Sequence, residues 1–219
     1  MSNDIVKCNG TGCKIWGNMD TNLFLSDLKK IDSTAWTRYD FRKAPSNQHT
    51  CTIPLVFQTH NWKRSEPVLI HRFLEFSHLF PWIERLQQYV TGNGMEEGIV
   101  IKAMIVMLKP HSSITPHTDS TDGLLLSHRC HWVVQSDPSV QFMVNNTTTH
   151  WPETYIYELN NTMIHGVENP SDQPRLHFIF DILPTRYLTN GVTYRDFTAE
   201  EYKQNEQAFL SKQNFPQFK

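Results

Sequence analysis

Between Ile99 and Leu183 the sequence breaks into short runs rich in branched and aromatic side chains: IVIKAMIVML, GLLLSHRCHWVV, VQFMV, TYIYEL, MIHGV and RLHFIFDIL. Pro, Asn, Asp and Gly divide them. Runs of this length and number predict many short strands, and so a barrel or two-sheet sandwich over residues 99–184. Helical patterning flanks them. In TNLFLSDLKKI, Leu23, Phe24, Leu28 and Ile31 recur at helical spacing behind Thr21 or Asn22 as cap. Pro81 opens PWIERLQQYV, where Trp82, Ile83, Leu86, Tyr89 and Val90 form a second stripe that TGNG stops. Thr198 is placed to seed a last helix over Ala199 to Leu210. The 219 residues hold no internal repeat and read as one domain. Residues 1–98 are expected as a helical and strand part supporting the core, 99–184 as the core, and 185–219 as a helical extension.

A net charge of -2 with no Lys/Arg cluster disfavours a nucleic-acid partner. No signal-peptide layout opens the chain and no apolar run reaches membrane-spanning length, so a cytoplasmic protein with no membrane partner is expected. The cysteines, Cys8, Cys13, Cys51 and Cys130, are too few for a disulfide scaffold, and their spacing favours reduced thiols over a zinc site.

Against this apolar background, polar residues gather where a core should form. His117 and Asp119 stand two apart in a segment that reads as a strand, where side chains i and i+2 share a face. His165 follows far enough along for several strands to wind round and return. Two histidines and one carboxylate form the face that binds Fe(II) and leaves positions open for a co-substrate and dioxygen. Ten positions beyond His165, Arg175 opens RLHFIFDIL, whose alternation sets Arg175, His177 and Ile179 opposite Leu176, Phe178 and Phe180. A guanidinium turned inward requires an anion. A dicarboxylate co-substrate held through two parallel hydrogen bonds would supply it.

From about Ile99 to Pro184 the chain resembles the aspartyl/asparaginyl β-hydroxylase family of Fe(II)- and 2-oxoglutarate-dependent dioxygenases, in KPHSSITPHTD, HRCHW and, most specifically, YELNNTMIHGVENPSDQPRLHFIFDILP. AWTRYDFR and CTIPLVF are weaker matches upstream. The resemblance implies a mainly β fold with flanking helices around a double-stranded β-helix, or jelly-roll, core. It implies iron bound by His117, Asp119 and His165, and Arg175 on the distal carboxylate of 2-oxoglutarate. His131 would meet the other carboxylate and Arg129 the primary substrate. Trp36 loosely matches a tryptophan near the co-substrate.

Two departures stand out. Some animal members lack the carboxylate ligand that Asp119 supplies here. Val106 falls where some members place a hydroxyl that helps hold the distal carboxylate. Other readings of single residues stay open: His131 as a core histidine, Arg129 in an ion pair with a neighbour such as Asp122, and His128 and His177 as structural or surface groups.

The activity implied is hydroxylation of a free amino acid, or of an Asp/Asn-type residue in a peptide or protein, using dioxygen and releasing succinate and carbon dioxide. The larger relatives carry repeat modules for holding polypeptides, and their absence here favours a small substrate. Two alternatives remain at this point: a non-catalytic, cupin-like metal- or carboxylate-binding sensor, and a zinc hydrolase, for which no general base neighbours the motif.

Overall fold

A computed structural model describes residues 12–38, 48–58, 62–119, 122–198 and 200–201. Twelve strands and four α-helices are described, together with two short 3-10 helices at Leu74–Leu79 and Thr185–Tyr187. Eight strands form the heart of the fold: β4 (Gly98–Leu108), β5 (Ser112–His117), β6 (His128–Gln135), β7 (Gln141–Val144), β8 (Thr147–Thr149), β9 (Tyr155–Leu159), β10 (His165–Asn169) and β11 (Arg175–Pro184). They pair as nested antiparallel partners, β4 with β11, β5 with β10, β6 with β9 and β7 with β8. This nesting is a jelly roll, as expected. Asn145 and Asn146, both at positive φ, make the tight turn at its innermost end.

The strands divide between two sheets. One, of four strands, runs β5-β10-β7-β8. The other has eight, in the order β1-β9-β6-β11-β4-β2-β3-β12. Its outer members are β1 (Cys13–Asn18), β2 (Thr50–Gln58), β3 (Val68–Phe73) and β12 (Val192–Phe197). The sheet thus reaches beyond residues 99–184 at both ends. VTYRDF, expected in a helical extension, is strand β12, paired parallel to β3. The helix expected over Ala199 to Leu210 lies almost wholly outside the described residues.

Helices cover one face of the large sheet. α1 (Asn22–Leu28) and α3 (Phe80–Gly92) bury their apolar stripes there, joined by the single turn α2 (Ala35–Arg38). Pro81 sits in the first turn of α3, where its missing N–H costs nothing, and Gly94 at positive φ follows the end. Phe24 packs its ring 5.1 to 5.5 Å from those of Trp82, Trp132 and Phe178, and Trp82 stacks on Trp132. Trp132 and Phe178 belong to the even-numbered positions of β6 and β11. The odd-numbered positions face the small sheet, and every residue of β11 is buried because both faces are covered.

One expected strand is different. GLLL, read as strand, forms the short helix α4 (Asp122–Leu126), and the strand begins at His128. Gly123 passes so close to Gln58 that a Cβ would lie 2.7 Å from its Oε1. Among the described residues no helix is long and apolar enough to cross a membrane.

The aromatic cluster on the helix side carries the packing. Phe24→Ala is expected to lower unfolding free energy by about 3–5 kcal/mol in urea titrations, whereas Leu23→Ala, at an exposed site, changes it by less than about 0.5 kcal/mol.

Candidate metal centre

β5 and β10 lie antiparallel with His117 directly opposite His165. Gly166 permits the close approach: a Cβ there would stand 3.0 Å from the Ile114 carbonyl oxygen and 3.2 Å from the Pro116 nitrogen. The register also slips beside it, between His165 and Val167, where Pro116 brings no N–H to the ladder. The two imidazoles end with their centroids 4.4 Å apart. Each Nδ1 donates to a backbone carbonyl two residues earlier, His117 to Thr115 at 2.8 Å and His165 to Met163 at 2.9 Å. That bond fixes the tautomer and leaves the Nε2 lone pair for a metal. Burial, against the pull of Asp119, brings the His165 pKa down to about 4.

Asp119 lies two residues beyond the end of β5 rather than in the strand. Its backbone N–H donates to the Asn161 carbonyl at 2.9 Å, and its Oδ2 accepts from Asn161 Nδ2 at 3.2 Å and from Arg129 NH1. The same Asn161 Nδ2 donates to the Leu124 carbonyl, tying α4 to this turn. Burial alone would raise the Asp119 pKa. Arg129, with His165, Lys102 and His117 behind it, holds it instead well below the usual carboxylate range. One donor atom from each of His117, Asp119 and His165 lies within 4.8 Å of the others. Neutral imidazoles with free lone pairs and an ionised carboxylate are a donor set suited to a divalent transition metal.

The inner face of the large sheet continues from the candidate metal centre. Arg129, His131 and Val133 on β6 stand beside Asp181, Ile179 and His177 on β11. Across β11, His177 opposes Val106, which opposes Thr52 on β2. Arg175 is 1% exposed and lies over the Phe142 ring, 5.8 Å from its centroid. His131 and His177 meet Nδ1 to Nδ1 at 3.3 Å, walled by Phe142 and Trp151. Burial, reinforced by the arginines nearby, holds both well below the usual histidine pKa. Two buried atoms on this face, His131 Nε2 and Thr52 Oγ1, have no hydrogen-bond partner among the described residues. A buried face that carries bare polar atoms suits an anion with several acceptor oxygens.

Arg129, His131 and Arg175 thus share the inner face of the large sheet, beside the cluster of His117, Asp119 and His165, though not all are placed alike. Arg129 is held by the chain's own acids: Nε and NH2 donate to Asp181 at 2.8 and 2.9 Å, and NH1 to Asp119. Meeting a substrate would require it to share these partners. The side chain of Asp122, an alternative partner, lies outside the described residues. His177, read from sequence as structural or surface, is buried against His131. His128 points to the other face, between Glu158 at 2.7 Å and Glu96 at 2.8 Å. Trp36 packs against the helix-side core. Cys13 is half-buried, Cys51 and Cys130 are buried, and Cys8 lies outside the described residues. Thr52, Asn161 and Asp181 were missed. Only the register shows that Thr52 brings a hydroxyl to the strand position beside Val106.

The neutral burial of His131 and His177 sets a pH dependence. Below about pH 6.5 the unfolded chain takes up protons that the folded pair refuses, so stability falls as pH drops below that value. Chemical denaturation from pH 7.5 to 5 is expected to show this loss, with a shallower slope in His177→Phe.

The aspartyl/asparaginyl beta-hydroxylase family profile matches residues 26–184. No curated protein matches the chain. Among solved structures, HygX from Streptomyces hygroscopicus, with nickel and 2-oxoglutarate bound, is similar at a TM-score of 0.52 and 12% identity, over 80% of this chain and 84% of that one. An oxidoreductase of the 2OG-Fe(II) oxygenase family from Burkholderia pseudomallei is similar at a TM-score of 0.50 and 10% identity, over 78% of this chain and 84% of that one. At such identities the likeness is one of fold. The family match covers most of the sequence and takes in the whole inner face just described, and the chain belongs to the aspartyl/asparaginyl β-hydroxylase family of dioxygenases.

Proposed function

We propose that the protein is an Fe(II)- and 2-oxoglutarate-dependent hydroxylase acting on an amino acid or on an Asp/Asn-type residue in a peptide or protein, with dioxygen consumed and succinate and carbon dioxide released. The observation that carries this reading is the convergence of His117, Asp119 and His165 beside a buried face bearing Arg175, His131 and Thr52. Family membership and the fold shared with a 2-oxoglutarate-bound structure support it.

His117, Asp119 and His165 would hold the iron, leaving positions for the co-substrate and dioxygen. Bound together, Fe(II) and 2-oxoglutarate activate dioxygen to oxidise an unactivated carbon, a power the side chains lack. The chain's own work is orientation. Arg175 receives the distal carboxylate through a planar fork of donors. Thr52 Oγ1 would supply a hydroxyl donor to the same group, in place of the hydroxyl that Val106 lacks. His131 Nε2, with its proton, would donate to the other carboxylate of the co-substrate. Phe142, Trp151, Val106 and Ile179 keep the intervening space dry, which strengthens each of these charge-assisted bonds.

The test is iron-dependent succinate formation by the purified protein, first with 2-oxoglutarate alone and then with free amino acids and Asp- or Asn-containing peptides. An added oxygen atom on one of them, seen by mass, names the substrate. No succinate under any condition contradicts the reading. Replacing His117, Asp119 or His165 by Ala is expected to abolish turnover. Thr52→Val is expected to raise the 2-oxoglutarate KM about tenfold, the equivalent of one hydrogen bond to a charged group at about 1.5 kcal/mol, while iron affinity is unchanged.

A further inference from the structure

Two buried charges, Arg129 and Asp181, lie beside the part-buried Asp119, and the proposed co-substrate contacts do not use them. Arg129 and Asp181 are directly paired across β6 and β11, and their side chains share the inner face. Asp181 is fully buried and Arg129 is 5% exposed. The carboxylate of Asp181 takes the side of the guanidinium formed by Nε and NH2, in two parallel bonds of 2.8 and 2.9 Å. A fork gripped at two points cannot rotate, so its third nitrogen, NH1, has one direction left. It meets Oδ2 of Asp119. Asn161 closes on the same oxygen from the other side at 3.2 Å, and its carbonyl holds the Asp119 backbone N–H at 2.9 Å. Oδ2 is therefore taken twice over by protein donors, and among the described residues Oδ1 is not.

We infer that Asp181 and Arg129 are positioning residues for the metal: Asp181 locks the guanidinium, the guanidinium with Asn161 occupies Asp119 Oδ2, and Asp119 is left to bind the ion through Oδ1 alone. The inference rests on the metal reading of His117, Asp119 and His165. A carboxylate free to offer both oxygens would fill a coordination position that the co-substrate or dioxygen needs; one whose second oxygen is occupied takes a single position. The charges agree. Two carboxylates and one guanidinium leave one negative charge, which a divalent cation more than offsets.

The geometry also distinguishes this role from simple charge balance. Lys at position 129 keeps the charge but carries a single ammonium, which cannot hold Asp181 at two points and reach Asp119 with a third. A balance of charges alone predicts no change in metal affinity for Arg129→Lys. Removing the cation in Arg129→Gln should, on charge alone, tighten the binding of another cation. Positioning predicts weaker binding in both.

The experiment is titration with Mn(II) alone, followed by the loss of the free-ion electron paramagnetic resonance signal, on the full chain and on Arg129→Lys, Arg129→Gln and Asp181→Asn. Thermal unfolding confirms that each variant is folded. Arg129→Lys keeps the buried charge and is the variant to rely on if the others do not fold. Affinity is expected to fall about tenfold or more in each, the usual effect of removing a group that orients a ligand. Wild-type affinity in Arg129→Lys, or tighter binding in Arg129→Gln, overturns the inference and leaves the metal reading intact. Arg129→Lys that binds Mn(II) normally yet loses only substrate affinity overturns it too, and returns Arg129 to the substrate. A wild-type chain that binds no Mn(II) overturns the metal reading and this inference with it.

Discussion

One antiparallel register, β5 against β10, sets His117 opposite His165, and the rest of the site depends on that pairing. Ladder geometry fixes the distance between two imidazoles that belong to segments far apart in sequence. Gly166 and Pro116 are the local features that let the pairing occur at such close range. A side chain at 166 would drive β5 outward, part the imidazoles and leave Asp119 with nothing to complete.

The two sides of the large sheet divide the work. Its helix-side face is packed with aromatic rings and stabilises the fold. That stability is what allows the other face to bury Arg129, Arg175, Asp181, His131 and His177, groups whose desolvation opposes folding. Breaking one member of such a network typically costs about 3–5 kcal/mol, because the partner is left charged and buried. The bonds that hold Arg129 between Asp181 and Asp119 pair these charges with one another.

Much of this could be read in the sequence. Alternation in RLHFIFDIL placed Arg175 inward, and the short apolar runs gave the strands of the jelly roll. The candidate ligands were recognisable because His and Asp are costly in such strands unless something binds them. Other features depend on information the sequence does not carry locally. Thr52 sits in CTIPLVF, apart from the ligand motifs, and matters only because β2 pairs with β4 in the register that sets it opposite Val106. Asn161 acts partly through its backbone carbonyl, which no residue type announces. Asp181 meets Arg129 only through the register of β11 against β6. The i, i+2 rule brought Asp119 to His117 for the wrong reason: Asp119 lies past the strand end and is held by Asn161. GLLL formed a helix because the apolar run alone cannot tell strand from helix over so few residues.

The central claim is that one ion at His117, Asp119 and His165 shares its coordination with a dicarboxylate lying along the Arg175 face. Anaerobic titration of the Fe(II)-loaded protein with 2-oxoglutarate, followed by visible absorption, tests it most directly. The account predicts a charge-transfer band that grows to saturation with one iron per chain and is absent from Asp119→Ala. A protein that takes up iron yet shows no band, or a band undiminished in Asp119→Ala, contradicts it.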